Sequence, residues 1–132
     1  MGELPEDNAA EARRWLGQAA EDLTAARRIA EDPDLVPRLA CFLAHLAAEK
    51  ARKAVLIDSG VPFRKIHDLL ELRVLLPADR QASFDPDALA DLNGWVLDGR
   101  YAEDHADASA ETAERLVVTA AAVLEESARL LG

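Results

Sequence analysis

Cysteine is nearly absent. The 132-residue chain holds one, Cys41, so no internal disulfide can form, and such usage fits a reducing cytoplasm. Histidine is scarce as well. Three well-separated histidines and one cysteine make no zinc-type cluster, so neither a metal nor another cofactor is expected. Six glycines and six prolines gather at a few places along the chain, and no strand-like alternation or internal repeat accompanies them. No apolar run approaches the ~20 residues of a membrane span. The opening Met1 to Asn8 is acidic, unlike a signal sequence.

What is present is a core. Half of the residues are apolar and 27 are alanine, enough for one domain over 1–132 that buries roughly two thirds of its unfolded surface. Residues 1–8 are expected to be a flexible tail. Cys41, between Ala40 and Phe42, reads as a small buried filler. The formal charge of −10 excludes a protein that coats nucleic acid through bulk electrostatics. The charge is uneven, however. Residues 1–66 carry 10 basic and 11 acidic side chains, and residues 67–132 carry 5 and 14. A polyanion would therefore find its basic patch in the first half.

The apolar spacing predicts an all-α antiparallel bundle of about five helices, three long and two short. The first runs from about Asn8, in capping-box spacing with Glu11, to Glu31. Its inward stripe is Trp15, Ala19, Asp22 or Leu23, Ala26 and Ala30. The second runs from Pro37 to Ser59 and ends at Gly60. Its stripe is Leu39, Phe42 or Leu43, Leu46 or Ala47, Lys50, Ala54 and Ile57. Short helices follow over 68–76 and 85–96. The last spans Ser109 to Leu131, with Leu116, Ala120, Val123 or Leu124 and Leu131 inward.

Two charges interrupt these stripes. Asp22 sits between Ala19 and Ala26, and Lys50 between Ala47 and Ala54. An unpaired charge on a buried face is costly, so the two are candidates to meet across the first two helices. The alternative is that Lys50 reaches water along its own stem.

"AAEKARKAVL" (47–56), the "GVPF" after it and "HDL" (67–69) stand in a fixed order after "WLGQAAEDLTAAR" (15–27). With "GRYAED" (99–104), this arrangement resembles the HEPN family, the nucleotide-binding domains of higher eukaryotes and prokaryotes. The resemblance runs from about Glu11 to Leu131. One departure is "LAHLAAEK", where the family usually has a glutamine-rich approach. His45 there can pair with Glu49 four residues on and reads as structural or surface-facing. His67 reads as a helix-start or packing residue.

The resemblance implies a small helical bundle that forms homodimers and binds RNA or nucleotide, often beside a nucleotidyltransferase antitoxin partner. In the active branch, an arginine, four to six variable residues and a histidine form a metal-independent endoribonuclease site that leaves a 2′,3′-cyclic phosphate. Arg100 and His105 have that spacing, and Arg100 stands where the family's arginine stands. Such spacing arises by chance about once in a chain of this composition, so the position carries the weight.

Within regular helix, five residues would rotate the two side chains about 140° apart. A turn lets both face one phosphate. Arginine offers a planar fork that never loses its charge, and histidine a proton carrier near neutrality. Tyr101, Lys50 and Asp22 are the candidate substrate-contacting residues. Against this reading stand Asp98, Glu103, Asp104 and Asp107, which repel phosphate. A solvent-exposed connector at 100–105, in a non-catalytic binding module, is the alternative.

Overall fold

The computed structural model describes residues 5–81, 85–95 and 108–131, and every regular element among them is helical. Five α-helices follow one another: α1 (Pro5–Glu31), α2 (Pro37–Asp58), α3 (Leu69–Leu75), α4 (Pro86–Asn93) and α5 (Ala110–Leu130). A 3₁₀ turn, Ala78–Arg80, links α3 to α4. The all-α bundle read from the spacing is the fold.

Local chemistry sets most helix ends. Pro37 occupies the first turn of α2, where a missing N–H costs nothing. At its other end Gly60 takes φ +70°. There the Gly60 amide donates to the Ile57 carbonyl at 3.0 Å and the Val61 amide to the Leu56 carbonyl at 2.9 Å. This paired closure satisfies the last carbonyls of the helix. Asp68 caps α3 by accepting from the Leu70 amide at 2.9 Å, Asp85 caps α4, and Ser109 caps α5. The start of α1 differs from the sequence reading. Helix extends back to Pro5, so Asn8 lies inside it and caps nothing.

α1 and α2 are antiparallel neighbours whose facing alanines, among them Ala12, Ala19, Ala26, Ala44, Ala47 and Ala51, are fully buried. Small side chains let the two axes approach closely. The segment after α2 turns back along it, bringing His67 to Glu49 and Asn93 to His45. α5 therefore starts beside the first turns of α2 and follows its direction: Arg52 of α2 meets Glu126 and Ser127 near the end of α5. Leucines of α3, α4 and α5 (Leu69, Leu72, Leu89, Leu92 and Leu116) close the core. Phe42 and Trp95 meet edge to face with centroids 6.2 Å apart.

The stripe expected on α2 needs correction. Fourteen of its 22 residues are buried, so it has almost no solvent face. Leu39 is 45% exposed, whereas His45, Glu49, Arg52 and Lys53 are buried. A helix packed on several sides loses the single-stripe pattern, and polar residues are tolerated wherever partners reach them.

Candidate functional site

His45, Glu49 and Lys53 stand four residues apart on α2, so they line up along one side of the helix. Three other segments supply what satisfies them. The returning stretch 61–67 brings His67 and Phe63, the start of α3 brings Asp68, and the end of α4 brings Asn93.

Glu49 is the hub. Its Oε2 accepts from Lys53 Nζ at 2.8 Å, and its Oε1 lies 3.1 Å from His67 Nδ1 and 3.7 Å from His45 Nδ1. Lys53 also sits 5.6 Å from the centroid of the Phe63 ring, a favourable place for an ammonium removed from water.

His45 is nearly sealed from solvent. The Asn93 amide is oriented by its neighbours: its Oδ1 accepts from the Leu69 amide at 2.9 Å, and its Nδ2 donates to Asp68 at 2.7 Å. The 3.3 Å contact with His45 Nε2 therefore requires that nitrogen to carry the proton. Burial holds the His45 pKa below its ordinary 6.5 despite the nearby Glu49 carboxylate. Of the two readings offered by the sequence, the structural one describes His45. His67 precedes the capping Asp68 and keeps 56% of its side chain exposed.

A second ionic contact stitches α2 to α5. Arg52 Nη2 lies 2.6 Å from Glu126 Oε1, and Nη1 donates to Ser127 Oγ at 3.2 Å. Burial lowers the Arg52 pKa from its ordinary value. Cys41 is buried too, and desolvation pushes its thiol up to about 11, so it is an inert filler rather than a nucleophile.

The residues singled out from the sequence divide into two groups. Asp22 and Lys50 do meet, at 2.7 Å between Oδ2 and Nζ, on the α1–α2 seam. They do not join the Glu49 group, whose partners come from the returning stretch and from α4. Arg100, Tyr101 and His105 lie outside the described residues. Glu49, Lys53 and Asn93 were missed as a cluster. The four-residue spacing of "HLAAEKARK" was the available signal; nothing in the sequence points to Asn93. Among the described residues no group of His, Cys, Asp or Glu could hold a metal ion. No described helix is long and apolar enough to cross a membrane.

Three long helices with two short ones laid over the middle helix, and a buried ionic row along that helix, define a small all-α domain. The HEPN domain family matches residues 12–130, and the chain belongs to it. Two solved structures are similar. The protein TT1696 from Thermus thermophilus is 28% identical with a TM-score of 0.77, and the match covers 90% of this chain and 97% of that one. ST0689, an archaeal HEPN homologue, shares the fold at 24% identity and a TM-score of 0.73, covering 92% and 98%. No curated protein matches the chain.

Proposed function

We propose that this HEPN protein is a metal-independent endoribonuclease, the toxin subunit of a pair whose antitoxin is a nucleotidyltransferase. The observation that carries the reading is the Arg100–His105 spacing, between α4 and α5, in a chain that matches the family over 12–130. Arg100 holds the non-bridging oxygens of the scissile phosphate. His105 takes the proton of the 2′-hydroxyl as that oxygen attacks the phosphorus, or gives a proton to the departing 5′-oxygen. The P–O5′ bond breaks and a 2′,3′-cyclic phosphate remains. Tyr101 shapes the pocket or stacks on a base.

The protein acts as a homodimer in the cytoplasm. Two copies of a short segment across a two-fold axis double the positive charge available to one cleft. The Asp22–Lys50 pair stands as the remaining substrate-contact candidate. It is half-buried, which leaves Lys50 able to change partners. Incubating partner-free protein with RNA in EDTA tests the activity: cyclic-phosphate ends are expected.

The second reading, a binding module of the same family that cuts nothing, is favoured by the acidic second half of the chain, with 14 acidic and 5 basic side chains over 67–132. On that reading, intact RNA is recovered at every protein concentration.

A further inference from the structure

Three open hollows follow one another along the stretch between α2 and α3. The first, about 400 Å³, lies among Asn8 of α1, Ile57 of α2 and residues 60–63. The second, about 380 Å³, shares Pro62 and Phe63 with the first and adds Ile66 and Leu75. The third, about 350 Å³, keeps Ile66 and Leu75 and reaches Glu71 and Val74 of α3. Shared walls join them into one groove with a largely apolar lining. α3 turns Leu69 and Leu72 into the core, which leaves Val74 facing out at 80% exposure. A lone exposed valine is ordinary. One that continues an apolar groove belongs to the kind of contiguous surface that partners cover.

The walls are set by contacts within the chain. Phe63 is held edge to face by Trp15, centroids 6.3 Å apart, and by the Lys53 ammonium 5.6 Å from its ring. The Val61 amide donates to the Leu56 carbonyl at 2.9 Å, and the Ile66 amide to the Arg64 carbonyl at 2.7 Å. A groove fixed in this way has little ordering left to do when it is filled. Its charges are of both signs. Arg64 lines the second and third hollows from the stretch before α3, and Glu71 lines the third from α3 itself. Both residues are exposed, and neither meets an opposite charge among the described residues. The carboxylates on either side of the stretch are engaged: Asp58 pairs with Arg80 at 2.7 Å, and Asp68 caps α3.

An occupant complementary to this groove brings apolar side chains for its floor, a carboxylate for Arg64 and a cation for Glu71. A phosphate chain or an anionic lipid surface answers Arg64 alone and is repelled by Glu71. A peptide can carry both charges with apolar side chains between them. We propose that the groove docks an amphipathic peptide segment of another protein. Apolar side chains three or four residues apart sit at Phe63, Ile66 and Val74, an acidic side chain meets Arg64, and a basic one meets Glu71. The two opposite charges fix the direction in which the segment lies. The site stands whether or not residues 100–105 cut RNA.

A random dodecapeptide library displayed on phage, panned against the full chain, supplies the probe. Enriched peptides are synthesised with a fluorescent label and titrated by anisotropy into wild type, Arg64→Glu, Glu71→Lys and Val74→Glu. All three side chains are exposed, so the variants should melt with wild type. The enriched peptides should share apolar positions three or four apart, flanked by one acidic and one basic residue. Each substitution is expected to weaken binding about tenfold or more, because it sets like charges together or puts a charge on the apolar floor. Replacing the acidic residue of the peptide by lysine should restore binding to Arg64→Glu and weaken it to wild type, a reversal that a general loss of structure cannot produce. No enriched family, or peptides whose binding survives all three substitutions, overturns the proposal. If no peptide binds and the same substitutions abolish self-association of the chain, the groove is an interface between copies and the peptide reading is wrong.

Discussion

Asp22 of α1 and Lys50 of α2 meet at 2.7 Å, the carboxylate 21% and the ammonium-bearing side chain 25% exposed. Asp22 Oδ2 is itself shielded from water, and its contact with Lys50 is a charge pair without hydrogen-bond alignment. Exposed pairs contribute roughly 0–1 kcal/mol and breaking a buried one costs about 3–5 kcal/mol. This pair lies between those limits. Asp22→Ala should lower stability by about 1–2 kcal/mol, read from urea denaturation. A change below about 0.5 kcal/mol, the scale of ordinary surface substitutions, would mean that water replaces the carboxylate.

Glu49 carries a larger share of the fold. Both it and Lys53 are about 5% exposed, so Glu49→Ala leaves a buried ammonium without its partner. The expected loss is about 3–5 kcal/mol. Glu49→Leu combined with Lys53→Met, which removes both charges, should recover most of it, because an apolar pair of similar size needs no compensation. Equal losses in the single and double variants would show that packing at these positions, rather than charge, is what matters.

His45 gives the fold a pH dependence of known sign. Burial holds its folded pKa below the ordinary 6.5, so below that value the unfolded chain binds a proton that the folded one refuses. Stability attributable to His45 is complete above about pH 6.5 and declines as pH falls toward the lowered folded value. Urea midpoints measured from about pH 7.5 to about pH 5 should fall for wild type, with a shallower slope in His45→Gln. Identical slopes would mean that His45 binds its proton equally well in the folded and unfolded chain, so that burial does not disfavour its charged form.

These cases show what was legible beforehand. Helix limits followed from local chemistry, because Pro37, Gly60, Asp68, Asp85 and Ser109 act on the backbone beside them. The Asp22–Lys50 contact followed from two charges set in apolar stripes on sequential helices. The burial of Glu49, Arg52 and Lys53 did not follow. It depends on partners 4 to 75 residues away, Lys53 and His67 for Glu49 and Glu126 and Ser127 for Arg52. Period-3.6 reasoning assumes one dry face, and a helix enclosed by several neighbours has none. Asp91 and Asn93, only two residues apart, had the same appearance in sequence. One pairs with Arg115 at the surface and the other orders His45, a difference set by the α3–α4 packing.

Whether Arg100 and His105 cut RNA is tested most directly by comparing wild type with His105→Ala. Partner-free protein of each kind is incubated with RNA in EDTA, and product ends are identified by mass spectrometry. Losing a general acid–base group costs on the order of 10²–10⁴ in rate. Wild type should therefore leave 2′,3′-cyclic phosphates while His105→Ala, equally helical and of the same size in solution, yields no detectable product. No cutting by wild type, or equal cutting by both, would contradict the account and make residues 100–105 a connector in a binding module.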